Sequence, residues 1–120
     1  MNKELFDFIA ERADALATSD ASTQVTKDAA NAWKEAVAAD KGAADDATQT
    51  LLDVLEGRPT TIDGVIAFAE GPAKELMGEQ AAADMLAAQK ARKAQGAKWC
   101  NCPSCTAATE LLAKFGRVEL

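Results

Sequence analysis

The 120-residue chain contains no histidine, and this absence removes several kinds of active site at once. A Ser–His–Asp triad and a metalloprotease-type zinc site both depend on imidazole groups, so both are excluded. No glycine-rich turn precedes a lysine–serine pair, so the phosphate-binding loop of nucleotide hydrolases is absent too. The sequence gives no reason to propose a small-molecule substrate, and it favours a protein other than an enzyme.

Long apolar runs are missing as well. No stretch approaches the roughly 20 apolar residues that are needed to cross a bilayer. The N-terminal sequence MNKELFDFIAERADALA carries acidic residues throughout, unlike a secretion signal. We therefore predict a cytoplasmic protein that has no membrane partner.

Basic residues are scarce in most of the chain. The formal net charge is −6; residues 1–89 hold 7 basic and 17 acidic side chains, whereas residues 90–120 hold 6 and 2. Because phosphate contacts need a basic face, we predict no nucleic-acid partner. The basic side chains of the C-terminal segment have two interpretations. They suit a solvated helix end, or they supply positive potential that favours nearby thiolates; the residues concerned are Lys90, Arg92, Lys93 and Lys98.

Runs of β-branched residues and alternating strand patterns are also lacking, while helical spacing dominates. We predict an all-α fold: a single domain over residues 1–120, made of a helical body at 1–95 and a cysteine loop with a C-terminal helix at 96–120. Five to six helices are expected in one compact bundle. Their approximate ranges are 3–17, 23–40, 43–56, 60–70, 72–95 and 103–115, with a turn at 57–61 and a break near Gly78 left open. The expected core side chains are Phe6, Ile9, Leu16, Trp33, Leu51, Leu55, Ile66, Phe68, Leu86 and Phe115.

The three cysteines of the chain all lie within the six residues CNCPSC, at Cys100, Cys102 and Cys105. If Pro103 takes the first helical position, Cys102 becomes the N-cap and Cys105 the third residue of the last, short helix. Both sulfurs then lie near the N–H groups at the start of that helix, which lower the pKa of a thiol. Trp99, directly before the cluster, is interpreted as a residue that pins the loop to the bundle.

A metal site is the first interpretation of this cluster. Closely spaced thiolates suit soft or borderline ions, and the predicted ligands are Cys100, Cys102 and Cys105. Structural zinc normally takes four ligands, so a carboxylate, a water or a group from another chain, for instance in a homodimer, has to complete the set. Zinc is the first candidate. Copper(I), which accepts three thiolates, and an iron–sulfur cluster come after it.

Two other interpretations stay open. Cys102-Pro-Ser-Cys105 has the C-P-x-C form of thioredoxin-like disulfide exchangers, although no strand precedes it, so a dithiol redox module on another scaffold is the alternative function. Cys102 would then attack and Cys105 would resolve. The third interpretation is a protein-interaction bundle with no chemistry, in which the cysteines pack as small apolar side chains.

The segment GAKWCNCPSC at residues 96–105, behind a helical body, resembles a set of small uncharacterised bacterial proteins with a C-terminal CxCPxC segment. Members of that set are sometimes labelled heat-shock-chaperone-like. The resemblance implies a small helical protein and carries over no catalytic residue.

Overall fold

The computed structural model of the chain describes residues 1–57 and 59–120, and in this part of the chain it contains helices but no strand. The α-helices are α1 (Lys3–Thr18), α2 (Gln24–Ala39), α3 (Ala44–Leu55), α4 (Ile62–Glu70), α5 (Ala73–Met77), α6 (Glu79–Ala94) and α7 (Pro103–Lys114), with a 3₁₀ turn at Lys41–Ala43. The predicted all-α class is confirmed. The turn predicted over residues 57–61 includes Arg58, which lies outside the described residues.

The predicted number of five to six helices is wrong, because the described residues form seven. The break comes at Gly78, whose φ of 90° lies in the region that favours glycine, and it separates α5 from α6. The last helix begins and ends close to the predicted range of 103–115, but the description of it as short is wrong, because it is as long as α3. It has 12 residues, and seven of them are buried.

The structure divides into two compact units, and the first contains Met1–Pro59 and Asn101–Glu119. In this unit α2 packs against α1 and α3, while α7 packs against the same two helices. All the members of the main hydrophobic cluster belong to this unit. They are Ile9, Ala13, Leu16, Ala30, Trp33, Val37, Ala44, Leu51, Leu52, Leu55, Ala107, Ala108, Leu111 and Leu112. The single domain predicted over residues 1–120 stays a prediction.

Half of the expected core side chains are buried, and the other half are only partly covered. Ile9, Leu16, Trp33, Leu51 and Leu55 are buried. The half-buried ones are Phe6, Ile66, Phe68, Leu86 and Phe115. Trp33 is held at both ends of its side chain, since its Nε1–H donates to Thr48 Oγ1 at 2.9 Å and its ring lies 5.5 Å from that of Phe6.

The end of the first unit is fastened to α3 by Arg117. Its guanidinium donates to Asp53 Oδ1 at 2.8 Å, to Glu56 Oε1 at 3.1 Å and to Gln49 Oε1 at 2.6 Å. The pKa of Arg117 is raised, chiefly by the hydrogen bond to Asp53 and also by the charge of Glu56. Arg117 therefore stays charged, and the segment after α7 remains joined to α3.

The second unit, Thr60–Cys100 with Leu120, contains α4, α5 and α6. Half of its six buried residues are alanines; the six are Ile62, Val65, Ala69, Ala73, Ala82 and Gln89. The first and last residues of its 60–100 segment are adjacent, because the Cys100 N–H donates to the Thr60 carbonyl at 2.8 Å. Among the helices described, none has the length and apolar character that a bilayer crossing needs.

Candidate metal centre

The start of α7 places two of the three cysteines. Pro103 is the first helical residue, where its missing N–H leaves no hydrogen bond unmade. Cys102 precedes it with the extended backbone of an N-cap, and its Sγ accepts a hydrogen bond from the Cys105 N–H at 3.3 Å. The predicted N-cap and third-residue positions are confirmed. The Cys105 N–H, one of the first N–H groups of the helix that have no partner within it, thus donates to the Cys102 sulfur.

A buried hydrogen bond inside the first unit fixes this turn. Ser104 lies between the two cysteines and is 3% exposed, and its hydroxyl accepts from Ser22 Oγ at 2.8 Å. Thr109 Oγ1 in turn donates to the Cys105 carbonyl at 2.8 Å. Neither serine could be singled out from the sequence, because the pair joins positions 82 residues apart and no local pattern indicates it. Together these bonds restrict how far the Cys102–Cys105 turn can move.

Backbone pairing within the second unit places Cys100. Thr61 and Trp99 form an isolated antiparallel bridge. On one side the Ile62 N–H donates to the Lys98 carbonyl at 2.9 Å, and on the other the Cys100 N–H donates to the Thr60 carbonyl. The half-buried Trp99 therefore belongs to a pinned loop, as the sequence interpretation expected, although the pinning that the structure gives runs through the backbone.

The six-residue segment brings all three sulfurs together. The three Sγ atoms lie within 4.8 Å of one another; Cys105 is buried, whereas Cys100 and Cys102 are half-buried. Three thiolates bound to one tetrahedral zinc at 2.3 Å would be about 3.8 Å apart, so moderate side-chain adjustment suffices. No disulfide joins the three described cysteines. The cluster is therefore a group that could hold a metal ion, and the described aspartates and glutamates add no member to it.

The basic residues near the cluster have acidic or amide partners within the second unit. Lys90 Nζ lies 4.0 Å from Glu70 Oε1, and Lys93 forms an ion pair with Asp63. Arg92 donates to Gln89 Oε1 at 2.6 Å. Arg92 and Lys93 also lie in the last turn of α6, where positive charge suits the helix dipole. These contacts favour the helix-end interpretation for Lys90, Arg92 and Lys93; Lys98, two residues before Cys100, is outside α6.

Comparisons with known proteins add no information about this site. No protein-family model, curated protein or solved structure matches the chain. The resemblance to small bacterial proteins with a CxCPxC segment therefore stays a prediction.

Proposed function

We propose that the chain is a small metal-binding protein whose ligands are the thiolates of Cys100, Cys102 and Cys105. The observation that supports this most is the mutual approach of the three sulfurs, all within 4.8 Å. Three cysteines spread at random over 120 residues would seldom meet. Here the chain holds two at one helix start and the third on a backbone-paired loop.

The proposed ion is soft or borderline, with zinc first. Thiolates favour zinc, copper(I) and iron–sulfur clusters over magnesium or calcium, which prefer oxygen ligands. An iron–sulfur cluster normally takes four cysteines and is third in order, because the chain has three. Copper(I) accepts three thiolates. Zinc requires one more ligand. With either ion, the hydrogen bond from the Cys105 N–H stabilises the negative charge on Cys102 Sγ.

Metal content is the first prediction to check. Protein purified anaerobically, without chelators, is expected to contain close to one equivalent of zinc or copper per chain, measured by elemental mass spectrometry. The variant in which all three cysteines become serine should contain almost none. Serine preserves the size of each side chain and the capping geometry of residue 102, so the comparison isolates the sulfur atoms.

Circular dichroism of the variant supplies the control, because its helix content should equal that of the parent. The metal proposal would be contradicted if the parent protein were purified without metal and then bound neither zinc nor copper(I). Equal metal in the parent and in the triple serine variant would also contradict it, since the ion would then lie elsewhere.

A dithiol redox function is the second candidate, and the Cys105 N–H to Cys102 Sγ hydrogen bond favours it. That bond stabilises a thiolate at the half-buried Cys102, which can attack a disulfide of another molecule. The attack forms a mixed disulfide and releases one thiolate. The buried Cys105 then attacks Cys102 Sγ, which closes the Cys102–Cys105 disulfide and releases the second thiolate, so the substrate disulfide gains two electrons.

The redox candidate predicts a reversible Cys102–Cys105 disulfide in apo protein equilibrated with glutathione buffers of graded potential. Alkylation followed by mass spectrometry should show two thiols lost and Cys100 still alkylated. The Cys100→Ser variant is the matched control and should titrate at the same potential. Failure to form this disulfide across physiological potentials would remove the redox candidate and leave the metal proposal unaffected.

A further inference from the structure

The coordination set within the chain is incomplete for a tetrahedral ion. Such an ion takes four ligands, and the chain has three cysteines and no histidine. Among residues 1–57 and 59–120, no carboxylate joins the cysteine group. A fourth ligand therefore has to come from outside this group.

The burial of the cluster shows where that ligand can approach. Cys105 and Ser104 are both buried, with 5% and 3% of their surface exposed. Cys100 and Cys102 are half-buried, and the neighbouring Asn101 and Pro103 are exposed. Cys100 and Cys102 are thus partly accessible to solvent, whereas Cys105 is covered.

Resting on the proposed function, we infer that the fourth ligand is a thiolate from outside the chain. Thiolates are the ligands that suit such soft or borderline ions, and a fourth thiolate gives the four-cysteine set found in structural zinc sites. In the binding step an incoming thiol gives its proton to solvent, and its sulfur replaces a water on the ion. A metal–sulfur bond forms and a metal–oxygen bond breaks, with no change in oxidation state. Such a site exchanges one ligand while the protein keeps three.

Cobalt(II) is the probe for this inference, because it occupies zinc sites and its thiolate bonds absorb strongly. Apo protein, reduced with a phosphine and then freed of it anaerobically, receives one equivalent of cobalt(II) and is titrated with 2-mercaptoethanol. Because a tetrahedral site has four positions, adding a fourth sulfur to three should raise the charge-transfer absorbance by about one third, with saturation. Ethylene glycol, which carries a hydroxyl in place of the thiol, is the matched control and should leave the band unchanged.

Native mass spectrometry identifies the source of the thiolate. A monomer that carries one cobalt and one 2-mercaptoethanol supports a small thiol as the ligand. A four-sulfur band that is already complete before thiol is added, together with a dimer mass, supports a cysteine from a second copy of the chain. If the protein is a monomer and its three-sulfur absorbance does not change when thiol is added, the inference is overturned and the proposed function still stands. Absence of any cobalt–thiolate band would instead count against the proposed function itself.

Discussion

Replacing Leu111 with alanine is expected to lower the free energy of unfolding by about 3 kcal/mol, within the usual range for a fully buried leucine. Leu111 is 0% exposed and belongs to the main hydrophobic cluster. Its helix, α7, packs against α1 and α3, so the lost methyl groups leave a space bounded by several elements. Urea unfolding of the apo, reduced protein, followed by circular dichroism, measures the change.

Leu76→Ala provides the matched control, because the substitution is identical and Leu76 is 76% exposed. A change within about 0.5 kcal/mol is expected there, as for most exposed positions. If Leu111→Ala destabilised the protein no more than Leu76→Ala, the burial of α7 in the core of the first unit would be wrong.

Replacing Cys102 alone with serine is expected to separate metal binding from folding. Serine is among the preferred N-cap residues, so its hydroxyl can accept the Cys105 N–H in place of the sulfur. The stability of the apo protein should therefore change by less than about 0.5 kcal/mol. Metal affinity should fall by more than about 100-fold, since even loss of a hydrogen-bonding partner to a ligand costs 10 to 100-fold. Competition with a chromophoric zinc chelator gives both affinities.

Cys102→Ala is the companion variant, and it should lose both properties. Alanine cannot accept the capping hydrogen bond, so about 1 kcal/mol of stability should disappear in addition to the metal affinity. A Cys102→Ser protein that keeps the parental zinc affinity would show that Cys102 is not a ligand. A Cys102→Ala protein as stable as the serine variant would show that the capping bond contributes nothing measurable.

The local parts of the fold followed from sequence, because they depend on neighbouring residues only. Pro103 after Cys102 predicts a helix start at the right residue, and the structure has it there. Small errors remain where several polar residues compete for one cap. Thr61, whose Oγ1 accepts from the Gly64 N–H, caps α4, so this helix begins at Ile62 and not at the predicted residue 60. Thr23 caps α2, so this helix begins at Gln24, one residue after the predicted start at 23.

The parts that could not be predicted depend on contacts between distant residues. Nothing in the sequence around Ser22 indicates a buried bond to Ser104, and nothing around Thr61 indicates pairing with Trp99. Burial of the last helix was predicted only at Phe115, because its buried face also uses Ala107 and Ala108, and alanines look equally suited to a surface. The cysteine cluster itself was visible because its members are close in sequence. The convergence of the three sulfurs is seen only in the structure, where hydrogen bonds hold Ser104 and Cys100.

The bond between the Cys100 N–H and the Thr60 carbonyl has a consequence for how this chain tolerates change. Residues 60–100 of the second unit form one continuous segment. The Cys100 N–H at the end of this segment donates to the Thr60 carbonyl at its start, at 2.8 Å. Segments with adjoining ends behave as modular insertions, because their length can vary without altering the spacing presented to the host. A change of length at the exposed Gly78, between α5 and α6, should therefore leave the pairing of Cys100 with Thr60 in place.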